Sequence, residues 1–426
     1  MAHNPARPTL PEPPPWLRWL VLFFIAVSMF GNYYVYDSIS PLADVLKAQL
    51  GFTDQDLGTL NAIYSLPNII MVLIGGIIID RIGTRRATFI FAVLCVVGSI
   101  ITAWHGSLFS MAAGRLVFGL GAESMIVAVT TALAQWFKGK ELSFAFGLNL
   151  TLARLGSFAA LNSPSWGQSL YEHWQPPLIA AALIGLTCVV GAGAYWIAER
   201  SAESRFRLGK PSEIDKIAFR EIFQFGRSYW FIVGLCATFY SAIFPFQTFA
   251  VKFFIEAHGT TRELGGFLSS MLTLFAMICT PLFGYVADRI GHRSHLMILG
   301  ALLLTPVYLI MAYSSVSLYL PVSMMGIAFA LIPAVMWPSV AYVVAAGRLG
   351  TAYGLMTLCQ NVGLTIFNFL IGWANDFAGA GPDNPGGYAL GLWFFSCLGI
   401  LGLLFAVLLN RREAGPHGHG LDTIKA

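Results

Sequence analysis

Twelve long apolar runs separated by short polar stretches leave this chain few ways to fold. About 20 apolar residues cross the hydrocarbon core of a bilayer as a helix, because a helix satisfies its own backbone groups there. The runs fall at approximately residues 17–43, 57–79, 87–105, 109–136, 142–168, 176–198, 228–255, 263–287, 295–313, 316–345, 351–377 and 387–409. Several exceed the length a crossing needs, which predicts tilt or kinks. The chain is 57% hydrophobic and 11% charged, whereas soluble domains carry about 25% charged residues. An all-α membrane protein with twelve transmembrane helices is predicted. The first run has no small-residue cleavage site and is read as a span, not a removable signal. The longest hydrophilic interruption, 199–227, follows the sixth run and divides the chain into two bundles of six helices, 16–198 and 228–411. Residues 1–15 read as a disordered, proline-rich tail and 412–426 as a second tail.

Loop charge sets the orientation. With both termini cytoplasmic, 20 of the 25 Lys and Arg residues fall on that side, as the positive-inside rule requires. The net charge of +4 is thereby explained by topology and carries no indication of nucleic-acid binding. All six cysteines lie in apolar runs without a C-x-x-C or Cys/His grouping, as small hydrophobes do. His417 and His419 read as part of a mobile polar tail rather than as metal ligands. No Walker or dinucleotide-binding glycine motif is present. The expectation is a chain that is not an enzyme and uses no metal or cofactor.

Two charges break the apolar pattern at mid-span. Glu123 lies 15 residues before Lys138 of the loop Lys138-Gly-Lys140-Glu141, and Arg154 lies 13 after its Glu141. At 1.5 Å per residue both are roughly 20 Å from that loop and share one depth. An ionisable group there costs at least about 2.5 kcal/mol, so it needs a partner or a task. One reading is a static brace between the two spans. The other is recognition of a zwitterion, Glu123 holding an ammonium and Arg154 a carboxylate through its guanidinium fork. The C-terminal half carries no charge at mid-span, and none of the eight histidines lies at such depth, which argues against a histidine proton relay.

The halves repeat. Gly76-x-x-x-Asp80-Arg81-x-Gly83-x-Arg85 recurs as Gly284-x-x-x-Asp288-Arg289-x-Gly291-x-Arg293, at the end of the second and the eighth span. The glycines predict close helix approach and a tight turn. Asp80, Arg81 and Arg85, with Asp288, Arg289 and Arg293, read as cytoplasmic gating clusters. Arg115-x-x-x-Gly119-x-Gly121 is a further pattern of the same kind.

This doubled motif resembles the signature of the major facilitator superfamily, over roughly residues 16–411. The resemblance implies two six-helix bundles around a central cavity, with alternating access. Phe30-Gly-Asn-Tyr33-Tyr-Val-Tyr36-Asp37, Tyr64-Ser-Leu-Pro67-Asn68, Glu123-Ser124, Trp136-Phe-Lys-Gly-Lys-Glu141 and Ala153-Arg154-x-Gly156-Ser157 narrow it. So do Phe244-Pro245-Phe246, Trp337-Pro338, Leu349-Gly-Thr-Ala-Tyr-Gly354 and Gln360-Asn361-x-Gly363-Leu364. Together they are similar to the major facilitator superfamily domain-containing protein 1 group, lysosomal dipeptide transporters of animals and their microbial relatives. That resemblance implies a small peptide substrate moved by uncoupled, uniporter-type transport. For an animal-type member it also implies a single-span accessory subunit; otherwise the expectation is a monomer among membrane lipid. The tail lacks an acidic dileucine sorting signal, which points to a microbial plasma (inner) membrane, with a lysosomal membrane as the alternative.

Tyr33, Tyr36, Tyr64, Tyr240, Phe244 and Trp337 are the expected tolerant aromatic walls around substrate side chains, and Asn68, Gln360 and Asn361 the expected partners of the peptide link. Asp37 sits near the outer end of span one, as a gate or a solvated residue. Arg115 reads as structural and Lys252 as a span-end lysine that snorkels. A proton-coupled symporter of small organic anions or amino acids, with Arg154 on the anion and Glu123 carrying the proton, is the rival reading. A non-transporting receptor on the same fold is a third.

Overall fold

The computed structural model describes residues 11, 13–137, 141–206, 225–345, 348–416 and 418–423, without the side chains of residues 72, 73, 76, 77, 80, 142–144 and 350. The expected tail residues 1–10 and 12, the loop 138–140 and most of the linker, 207–224, lie outside that description. The described residues are mostly helical: α1 (Pro15–Asp37), α2 (Ala43–Leu50), α3 (Asp54–Ile82), α4 (Thr84–Trp104), α5 (Leu108–Phe137), α6 (Leu142–Leu161), α7 (Ser163–Trp166) and α8 (Gln175–Glu203). The second half holds α9 (Arg227–His258), α10 (Arg262–Ile290), α11 (Arg293–Leu304), α12 (Val307–Tyr313), α13 (Tyr319–Val343), α14 (Leu349–Phe377) and α15 (Ala389–Glu413). Ten helical stretches among the described residues are long and apolar enough to cross a membrane, and α3 and α6 complete the twelve.

Three predicted spans are interrupted, each for a local reason. Span 17–43 stops at Asp37 and resumes through a 3₁₀ turn at Ser40–Leu42 that contains Pro41. Span 142–168 ends at Leu161, where Asn162 turns its amide back onto the Phe158 carbonyl before Pro164. Span 295–313 breaks into α11 and α12 at Pro306, which has no N–H to donate. The repeated motif makes matching turns: Gly83 and Gly291 have φ of +82° and +70°, a region that favours glycine. The close approach expected at Gly284 is not seen, since a Cβ there would meet nothing within 4 Å. Tight contact occurs elsewhere: within the N-terminal half, where a Cβ on Gly119 or Gly121 would meet the Tyr64 or Phe91 carbonyl, and between the halves, where one on Gly58 would meet the Asn368 carbonyl.

Two faces are distinguished by what they hold. On the terminal face, Ser228 at the start of α9 donates to Glu413 at the end of α15 (2.6 Å). The C-terminal tail docks here, in contrast to the mobile tail that the sequence predicts. Asp422 accepts from the Ser294 N–H (2.8 Å), His419 Nδ1 lies 3.0 Å from Glu413, and Leu421 is fully buried. A tail with a helix N-terminus to cap and an apolar side chain to bury has reason to stay. His417 lies outside the described residues.

On the opposite face the two halves share one apolar core. Ile39, Leu42, Leu46, Leu57 and Leu60 of the N-terminal half cluster with Phe246, Phe253 and Phe254 of α9. A separate core, made of α1, α3–α6 and α8 residues, fills the rest of the N-terminal half.

Candidate functional site

Helices α1, α3, α5 and α6 meet α9, α13 and α14 around a cavity of about 320 Å³. Ten of the eleven expected substrate residues line it: Glu123, Arg154, Tyr33, Tyr36, Tyr64, Tyr240, Phe244, Trp337, Gln360 and Asn361. Asn32, Ile126, Val127, Thr357 and Leu364 line it too, and sequence reasoning missed them. Asn32 lies in the quoted stretch of span one, but nothing marks which of its polar residues faces inward.

The two charges enter this cavity without pairing. Glu123 accepts from the Tyr64 hydroxyl at 3.4 Å. Arg154 is held between two rings, Tyr33 of α1 and Phe329 of α13, each 5.3 Å from its guanidinium carbon. Among the described residues no carboxylate lies within 4 Å of it. Cation–ring contacts orient a guanidinium while leaving its N–H fork free to meet an anion. Phe329 comes from the other half, so Arg154 is oriented by both.

The walls are aromatic and mutually braced. Trp337 Nε1 donates to the Tyr240 hydroxyl (3.0 Å), and Tyr240 stacks on Phe244. Tyr36 packs on Tyr64 at 4.8 Å between ring centroids. Asn68 does not reach the cavity: it is fully buried behind Asn361, to which its amide donates at 3.4 Å. Helix packing, not polarity, decides which side of α3 faces inward. Gln360 accepts weakly from Cys236 Sγ at 3.8 Å.

Arg115 is structural, as expected. It is 1% exposed, donates to Asn61 Oδ1 (2.8 Å), and lies over the Tyr36, Tyr64 and Phe118 rings. Asp37 is not a solvated residue; at 8% exposure it is buried at the seam between the halves.

Above the cavity, on the opposite face, sits a latch that the sequence did not disclose. Lys252 does not snorkel. Its side chain and that of Asp54 are both 0% exposed, and Nζ lies 2.8 Å from Asp54 Oδ1, 3.1 Å from Glu256 and 2.7 Å from the Tyr388 hydroxyl. A lysine ringed by two carboxylates and a hydroxyl inside the protein loses less by staying there than by reaching for the surface. Asp376 of α14 accepts from the Asp54 and Gln55 N–H groups (2.9 and 2.7 Å), capping α3 from the other half. Asp44 and Arg262 add a bidentate pair across the seam. The sequence shows the Thr53-x-x-Asp56 helix start and the Lys252–Glu256 spacing, but nothing in it joins residue 54 to residue 252.

The two expected gating clusters of the repeated motif sit on the terminal face, unlike Asp37. Arg293 bonds Asp288 at 3.0 Å and lies over the Tyr342 ring, within the C-terminal half. Arg289 lies over Tyr285, and Arg85 pairs with Glu203 within the N-terminal half. Arg81 is exposed, and the Asp80 side chain lies outside the described residues.

Twelve crossing helices around a polar cavity, sealed at one end by bonds between the halves, define a membrane carrier. The chain belongs to the Major Facilitator Superfamily, which it matches over residues 22–261 and 230–423. It is 32% identical to the lysosomal dipeptide transporter MFSD1 of Danio rerio, over 92% of this chain and 86% of that protein. The Homo sapiens protein of the same name is 31% identical, over 93% and 87%. Solved structures share the fold. The nucleoside transporter NupG aligns with a TM-score of 0.75 at 13% identity, covering 91% of this chain and 99% of that one. A bacterial homologue of the human lysosomal transporter Spinster, inward-facing and unoccupied, aligns at 0.71 and 16% identity, covering 94% and 98%. The protein is an integral membrane transporter, not an enzyme.

Proposed function

We propose that this transporter moves zwitterionic dipeptides by alternating access, as a uniporter. One observation carries the reading: Glu123 and Arg154 line a single cavity and are not each other's partner. A brace would have drawn them within ion-pair distance; two separate ligands leave room for something between them. At about 320 Å³ the cavity is at the small end of ligand sites, which run from about 300 Å³ upward. Glu123 holds the substrate ammonium, Arg154 its carboxylate, and the aromatic walls accept varied side chains. In this reading Gln360 and Asn361 meet the peptide link, Asn361 exchanging its bonds to Asn68 and Thr357 for the substrate. The name of the MFSD1 relatives supports a dipeptide as substrate.

In this reading 16–198 and 228–411 rock about the cavity as two bodies. The terminal face is cytoplasmic, the membrane is a microbial plasma membrane, and the carrier acts as a monomer. The test is a thermal-shift and liposome-flux comparison of free, N-acetylated and C-amidated dipeptides. Free dipeptides are expected to stabilise the protein and to exchange; blocked ones do so far less. Equal responses to blocked and free peptides overturn the assignment, and uncoupler-sensitive flux replaces uniport with proton symport.

A further inference from the structure

The two cavity charges are supported from different places. The Tyr64 hydroxyl that bonds Glu123 comes from α3, in the same half of the chain. Arg154 has one ring from its own half, Tyr33 of α1, and one from the other half, Phe329 of α13. Tyr33 lines the cavity and is open to a substrate. Phe329 stands behind the guanidinium, outside the lining and 3% exposed.

Phe329 is itself fixed by two rings of α9. Phe239 stacks on it with centroids 6.4 Å apart, and Phe244 meets it edge to face at 5.8 Å. A close-packed ring has few alternative positions, and the cation lying over it shares that restriction. The face of a benzene ring is electron-rich and its edge electron-poor, so a guanidinium is drawn to the face, most strongly where water is excluded. The ring offers no acceptor atom. The guanidinium N–H groups, which lie in its own plane, therefore remain for a carboxylate. An acidic side chain in the place of Phe329 would orient Arg154 equally well but would occupy the fork that the substrate needs.

We propose that Phe329 is a positioning residue for substrate recognition: its ring holds the Arg154 guanidinium so that the fork meets the substrate carboxylate. The C-terminal half carries no charge at mid-span, yet through this ring it acts on the carboxylate end of the substrate. The ammonium end is set within the N-terminal half, by Glu123 and Tyr64. Removing the negative face of the ring should loosen one end of the substrate and not the other.

The inference rests on the dipeptide reading of the cavity, and the experiment separates the two. Alanyl-alanine, its N-acetyl form and its C-amide form are titrated into the full chain in nanodiscs. The deciding variant is Phe329→pentafluorophenylalanine, which keeps the outline of the ring and reverses the charge of its face. Alanyl-alanine and the N-acetyl form, which both present a carboxylate, should lose about five- to thirtyfold in affinity. The C-amide form should bind as it does to wild type. Phe329→4-fluorophenylalanine should fall between the two proteins. If the fluorinated chains are not recovered folded, Phe329→Leu gives the same comparison, because a merely damaged wall would weaken all three ligands alike. Unchanged affinities, or an equal loss for the C-amide form, overturn the positioning role and leave the dipeptide reading standing. A wild-type protein that does not distinguish alanyl-alanine from its blocked forms overturns the dipeptide reading and the role of Phe329 with it.

Discussion

The two faces of this carrier are built from the same residue types put to different uses. On the opposite face, charges join the halves: Asp54 to Lys252, Asp44 to Arg262, Asp376 to the first turn of α3. On the terminal face, the pairs Arg85–Glu203, Arg293–Asp288 and Glu413–His419 each stay inside one half. A bond between the halves favours one state of a rocking carrier; a bond within a half rides along unchanged. Among the described residues the bonds between the halves mark the opposite face as a closed end, and they predict which charges there govern the equilibrium.

The largest expected effect comes from breaking the latch. Lys252→Met leaves the Glu256 carboxylate buried without its cation and Asp54 with only the Lys47 cation (3.3 Å); removing one partner of a buried pair costs about 3–5 kcal/mol. Much of that cost is relieved by opening, so spin-label distances across the opposite face should lengthen strongly. Distances unaltered in Lys252→Met would show that packing alone closes this face.

Next in size are the cavity charges, which belong to neither face. Glu123→Gln and Arg154→Gln should each abolish dipeptide transport and leave the empty protein folded, because neither removes an existing ion pair. The double variant should be stable and inactive. A double variant that transports like wild type would make the two a brace and remove the substrate assignment. Within the binding series, Glu123→Gln should cost an N-acetylated dipeptide little, since that ligand has no ammonium to lose.

The smallest effect is expected on the terminal face. Asp288 is 56% exposed, and an ion pair of that kind contributes about 0–1 kcal/mol. In the conformation described here, Asp288→Asn should shift the melting temperature by a degree or two and leave distances across the opposite face unmoved. A shift as large as that of Lys252→Met would erase the contrast between the faces.

The sequence by itself determined the number of crossings, the doubled turn motif and the depth that Glu123 and Arg154 share. Each is a local property: apolar run length, a glycine-punctuated turn, a charge where a charge is costly. It also marked ten of the cavity's lining residues, because polar and aromatic groups at mid-span stand out against lipid-facing aliphatics. What only the tertiary structure decided is pairing. Asn68 and Asn361 are equally polar, yet helix rotation puts one in the cavity and the other behind it. Lys252 read as a snorkelling end residue because its partner lies 198 positions away, on a helix of the other half. Glu123 and Arg154 share a depth in the sequence; that they share a cavity without sharing a bond depends on where Phe329 and Tyr33 hold the guanidinium. Depth along a helix follows from counting residues, whereas azimuth and partner follow from how the helices pack around one another.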